Sequence, residues 1–274
     1  GVYVGGGEFK MVADESGTTG TISENVATFG GGVHVANDGK FTMSAGVISA
    51  NRGQEYSNYG DNYGGGVYVN GGTVEMTGGT ISDNTALSAG GGVYVASGTF
   101  TMSGEASICD NKITSWTGTG GGVGIAGGTF NITGGSITGN SSANSGGGVG
   151  ALGGEFIMSN GTISANQALM AGGVYISGGT FTMSGTAEIT SHETSVYGSG
   201  IYVAGNGYGS TAGTLNLNGG SITGNKAIDM SPVSGSGGGV YAVSGATINI
   251  NGSPTVKDNT ANSAASNVYL CSGV

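Results

Sequence analysis

Apolar and polar residues alternate along this chain in very short runs, and the runs return in a fixed order. A Val-x-Val triplet ("VYV", 67–69) leads, after a Gly-rich break, to a triplet of the form Val/Phe-x-Met ("VEM", 74–76). A single Ile among small polar residues follows ("TIS", 80–82), and then an Asn. Alternation with period two predicts short strands buried on one side, and no stretch carries the 3.6-residue period of a helix.

The first aliphatic residue of the "GGGVYV" phrase recurs as Val2, Val33, Val67, Val93, Val123, Val149, Val174, Ile201, Val240 and Val268, at intervals of 25 to 39 residues. Behind it run two further apolar columns. One is Phe9, Phe41, Val74, Phe100, Phe130, Phe156, Phe181, Leu215 and Ile248, each with Met or a relative two residues on. The other is Ile22, Ile48, Ile81, Ile108, Ile137, Ile163, Ile189, Ile222 and Val256. Three residues past the Ile stand Asn25, Asn51, Asn84, Asn111, Asn140, Asn166, Asn225 and Asn259, with His192 as the one exception.

A repeat of this length predicts a solenoid. Three short strands and three Gly-rich corners per repeat fit one turn of a parallel β-helix, with Gly supplying the positive φ of tight bends. We therefore expect an all-β chain forming a single parallel β-helix domain over 1–274, with nine to ten rungs. At roughly 4.8 Å per rung, nine full rungs make a rod about 43 Å long. The Asn column is expected to form an internal amide ladder that satisfies backbone groups at a corner, with His192 substituting structurally.

Composition narrows the reading. Gly fills 63 of 274 positions, yet 36% of residues are apolar, so a core is available. Collagen is excluded, because Gly does not recur every third residue and there are only 2 Pro. A net charge of -10 argues against nucleic acid as a partner. No apolar run reaches the ~20 residues of a membrane span, so no membrane insertion of this segment is expected. The chain opens inside the repeated phrase, which leads us to expect a piece of a longer protein. Exposed strand edges at both ends then suggest end-to-end self-association.

The "GGGV" phrases at 64–67 and 90–93, alternating with Ile-x-x-Asn ("ISDN", 81–84), resemble the repeats of the polymorphic outer-membrane adhesins. They are also similar to right-handed β-helix repeats of large bacterial surface proteins, and the similarity spans essentially the whole chain. The chain departs from the adhesin pattern in placing Ile before x-x-Asn, where Phe is favoured, and Gly as third small residue; it also carries no autotransporter barrel. The resemblance implies a right-handed helix, an extracellular place on a bacterial surface, and adhesive or stalk-like work on a glycan or a host surface protein. β-Helices also carry polysaccharide lyases and glycoside hydrolases, so such an enzyme is the alternative.

Enzyme chemistry would need clustered carboxylates on neighbouring rungs. The best pair is Asp83 with Asp110, one residue before the Asn column on successive rungs. Two carboxylates alone make a poor Ca²⁺ site, so neither metal nor cofactor is expected. His34 and His192 lie about five rungs apart, and Arg52 is the only Arg. His34 takes an outward Tyr position and is expected in solvent. Glycine runs such as "GGGVGIAGG" lack the Lys-Ser/Thr of a phosphate loop. Cys109 and Cys271 fall about 29 Å apart by rung counting, too far for a disulfide.

The surface gives the best site. The residue between the two inward positions of Val-x-Val reads Tyr3, His34, Tyr68, Tyr94, Gly124, Gly150, Tyr175, Tyr202, Tyr241 and Tyr269. This Tyr strip, interrupted by two Gly, is expected to face outward. Insertions between Asn51 and Val67, Asn111 and Val123, and Asn225 and Val240 open at one corner beside it. They bring Tyr56, Tyr59, Tyr63 and Trp116, which join Tyr68 and Tyr94 as candidate ligand-binding residues. The column between Phe and Met is too broken by non-Thr residues for an ice-binding face.

Overall fold

The computed structural model describes residues 1–54, 62–194, 196–206, 211–228 and 237–274. These residues form a parallel β-solenoid of about nine turns, without a helix among them. The repeat columns stack in register as the sequence predicts. Val67 pairs with Val93, Val93 with Val123 and Val123 with Val149. Phe100, Phe130, Phe156 and Phe181 succeed one another on the second face, and Ile48, Ile81, Ile108 and Ile137 on the third. The inward residues of these three faces form one continuous core along the rod. At the far end Ile250, Val268, Leu270 and Val274 stay exposed around an apolar hollow.

Each turn carries a fourth face that the alternation did not reveal. It consists of two-residue strands directly after the Asn column, among them Arg52–Gly53, Thr85–Ala86, Lys112–Ile113, Ser141–Ser142, Gln167–Ala168, Glu193–Thr194 and Lys226–Ala227. The first residue faces solvent and the second is mostly small, so no apolar periodicity marks the strand. In four rungs adjacent faces also fuse into ten-residue strands, such as Val67–Met76 and Thr129–Thr138.

The Gly triplet has three separate jobs. Gly64 sits at φ 63°, in the left-handed region open to Gly. At Gly65 an added Cβ would lie 2.5 Å from the Thr85 carbonyl of the fourth face, and at Gly66 2.9 Å from the Asn84 amide. The second and third Gly thus let the fourth face and the Asn column close in on the corner.

The Asn column is a ladder running through the rod. Asn84 illustrates the rule. Its backbone N–H and its Nδ2 both donate to Asn111 Oδ1, each at 3.0 Å. The second Nδ2 hydrogen goes back to the Ile48 carbonyl at 2.9 Å. Asn84 Oδ1 in turn accepts from the backbone N–H and Nδ2 of Asn51. The residue before each Asn turns the corner in the left-handed region, with φ of 56° at both Asp83 and Asp110. That conformation costs a non-Gly residue roughly 1–2 kcal/mol, and the buried amide network holds it.

His192 fits the ladder as expected. Its Nδ1 accepts from the Asn166 N–H at 3.1 Å, and its Nε2 lies 3.1 Å from the Ile163 carbonyl. A neutral ring protonated on Nε2 serves both partners, Nδ1 standing in for an amide oxygen and Nε2–H for an amide donor.

The ladder should dominate stability. Asn111→Ala strands the Asn84 donors and the Ile81 carbonyl in a buried corner, and should cost at least about 3 kcal/mol in urea unfolding. Asn131→Ala, on an outward position, should cost less than about 0.5 kcal/mol. Equal effects from the two would contradict the ladder account.

Candidate functional site

The Tyr column does turn away from the core, but its lower half is covered. Tyr3 is 66% exposed, whereas Tyr68 and Tyr94 retain only 9% and 7%. A second aromatic column lies over them. It is built on the residue four before each repeat anchor, where Phe29, Tyr63, Ala89, Thr119, Ser145 and Met170 bridge from rung to rung. Tyr63 packs 4.6 Å from the Tyr94 ring and Phe29 5.0 Å from Tyr68. Tyr68 and Tyr94 therefore form a small satellite core rather than an open adhesive surface. Burial pushes the Tyr68 phenol up from its ordinary pKa. His34 is likewise largely buried, held edge-on between Tyr3 and Tyr68. Its pKa is lowered by burial, which corrects the expectation of a solvent-facing imidazole. Tyr56 and Tyr59 lie outside the described residues.

Farther along, Tyr175, Tyr202, Tyr241 and Tyr269 stack face to face at 5.3–5.5 Å. Burial raises the Tyr202 phenol to about 12. The Tyr241 phenol is raised as well, first by burial and then by the Cys271 thiol that donates to it at 3.4 Å.

Between the two Tyr stretches of the inner column, both columns lack rings over overlapping rungs. The inner column has Gly124 and Gly150, and the outer one Ala89, Thr119 and Ser145. What remains is a notch of about 330 Å³, with Tyr94 and Tyr63 at one side and Tyr175 at the other. Leu152 adds an apolar patch; Asn144, Thr117, Thr119 and Ser145 add polar atoms. The Thr119 and Ser145 hydroxyls bond each other at 3.2 Å. The Asn144 side-chain amide has no such partner among the described residues, so it is available to a ligand.

The notch unites Tyr63 and Tyr94 from the sequence-based set with residues that set lacked. Tyr175 was readable as the first ring after the Gly gap. Thr119 and Ser145 were readable only by following the column four residues before each anchor. Trp116 stands apart, 76% exposed on the second insertion, and lines a groove on the fourth face.

Groups suited to acid–base or metal chemistry do not gather here. Among the described residues no carboxylate or imidazole lines the notch. Asp83 and Asp110 are exposed at their corners. Among the described residues no three His, Cys, Asp or Glu come together in a way that could hold a metal ion. Cys109 and Cys271 are free thiols, and among the described residues no helix is long and apolar enough to cross a membrane.

Comparison with protein-family models, with curated proteins and with solved structures returned no match.

His192 is the titratable group whose environment is most distinctive. Complete burial lowers its pKa from 6.5 to about 4. An unfolded His binds its proton near 6.5, so between these values the unfolded chain holds more protons and stability falls as pH falls. The loss should total on the order of 3 kcal/mol between pH 6.5 and 4, and then level off. His192→Asn restores the ladder residue and should remove this part of the slope in denaturant titrations across that window. An unchanged slope would show that His192 does not carry it.

Proposed function

We propose that this chain is a non-enzymatic, adhesin-like rod of a bacterial cell surface, and that its notch holds a glycan ring between Tyr94 and Tyr175. The observation that carries this reading is the shared interruption of two aromatic columns. The inner column, which carries Tyr on either side, is empty for two rungs at Gly124 and Gly150, and the outer column carries no ring from Ala89 through Met170. The empty volume, about 330 Å³, lies at the low end of the range for small-molecule sites.

The lining suits a sugar. Phenol rings offer flat apolar faces with polar edges, and the Asn144 amide offers both a donor and an acceptor. Aromatic and neutral polar groups bind such a ring without charge, in keeping with a rod whose net charge is -10. The described residues of the lining include no paired carboxylates of the kind glycoside hydrolysis uses. Attachment to a bacterial surface rests on the repeat resemblance, and a host surface protein bearing the glycan is the partner this reading suggests.

Glycan-array binding of the 274-residue chain is the direct test. Tyr175→Ala and Asn144→Ala should each weaken a positive signal at least 10-fold while leaving thermal stability close to that of the parent. Tyr94→Ala is a poor probe, because the buried ring supports the satellite core. Shortened glycan products would replace the adhesive reading with the enzymatic one. An array with no signal would leave the rod as a stalk or a receptor for protein.

A further inference from the structure

We infer a second binding site, on the fourth face, which takes an extended hydroxyl-rich polysaccharide along the rod axis. It is separate from the notch and does not depend on it.

The fourth face contains a shallow groove of about 660 Å³, lined by Lys112, Trp116, Ser141, Gln167 and Glu193 with Ile228 beyond them. Four of these stand in one column. Lys112 pairs in register with Ser141, Ser141 with Gln167, and Gln167 with Glu193. Each step is one rung, roughly 4.8 Å, which is close to the advance of one pyranose along an extended chain. A polysaccharide lying parallel to the axis would present about one sugar to each polar side chain.

The floor is low because the neighbouring column is mostly small, with Ser142, Ala168 and Thr194. The Thr194 hydroxyl is buried and has no hydrogen-bond partner among the described residues, an unusual state for a buried polar atom.

Three features indicate that these side chains are kept for a ligand. The ion pairs of the described residues are Lys10–Glu8, Lys40–Glu75 and Lys257–Asp258, all elsewhere. Lys112 and Glu193 enter none of them, and neither does Lys226, although it is the register neighbour of Glu193. The column also mixes donors and acceptors, as ammonium, hydroxyl, amide and carboxylate, where the core columns repeat a single residue type. Finally, Trp116 exposes 76% of its surface at the groove, offering a large ring face for stacking.

A peptide is the weaker occupant. Strand addition needs free backbone N–H and C=O groups, and on this face the rungs above and below already use them. Recognition is left to side chains, which suits a hydroxyl-rich chain. Among the described residues Glu193 is the only carboxylate lining the groove, and they offer no acid–base pair of the kind a glycosidase uses.

Trp116 is the only Trp, so its fluorescence reports directly on this groove. The probes are cello-, xylo-, chito- and galacturonic oligosaccharides of two, four and six units, titrated into the chain. At least one series should shift the emission, with affinity rising at least 10-fold from dimer to tetramer and levelling off by hexamer. Gln167→Ala should weaken the hexamer at least 5-fold by fluorescence. Trp116→Ala should abolish its binding by calorimetry. Tyr175→Ala should leave the groove affinity unchanged, which separates this site from the notch. Silence from all four series at millimolar concentration, equal affinity for dimer and hexamer, or indifference to Gln167→Ala would overturn the inference.

Discussion

The structure depends on one corner. After the third face the chain must turn sharply inside the protein, where backbone groups have no strand partner and water does not reach. A single Asn side chain resolves this in each turn, with His192 taking its place in one, but only with help. Asn84 fills its needs from Asn111 on one side and from Asn51 and Ile48 on the other. Each rung's amide is complete only if its neighbours carry an equivalent acceptor and donor at the same height. The ladder therefore fixes the register of the whole rod, and the stacking of Val, Phe and Ile follows from it as much as it assists it.

That constraint explains where the chain is free to vary. Residues from the Val-x-Val strand to the Asn lie between one ladder contact and the hydrophobic core, and their spacing is tight except in the turns that start at Val2 and Ile201, where extra residues precede Ile22 and Leu215. Once past the Asn, the chain needs only a two-residue strand before the Gly triplet brings it back. Extra residues added there disturb neither ladder nor core. The insertion bearing Trp116 lies in this interval, and both sites border on it.

The columns, the strand registers and the role of His192 were legible because each is written as a repeated residue type at a constant offset. The fourth face was not, since a two-residue strand such as Gln167–Ala168 leaves no alternation to read. The burial of Tyr68 and Tyr94 escaped for a related reason. Alternation tells which way a side chain leaves its strand, not what later covers it. The covering residues, Phe29 and Tyr63, sit at a constant offset before the Gly triplet, but their column changes residue type from rung to rung, through Ala89, Thr119 and Ser145, so no repeated letter marks it. Tyr63 looked like part of an insertion, although it is also a member of a column.

In a rod held together by repetition, the rungs that depart from the repeat are the ones able to do something other than hold. Loss of the rings at Gly124 and Gly150 makes a notch without altering an inward residue, and changing polar residues along the fourth face make a groove at no cost to the core. The same loop serves both. Thr117 and Thr119 line the notch, while Thr114 and Trp116 line the groove. The Thr119 N–H is tied to the Ser88 carbonyl at 3.1 Å and its hydroxyl to the Ser145 carbonyl at 2.9 Å, which anchors the loop on the notch side. At the Trp116 end the loop reaches out into solvent. One short insertion thus has a fixed root that shapes the enclosed site and a free tip that extends the open one, and the ladder beneath keeps the two in constant relation.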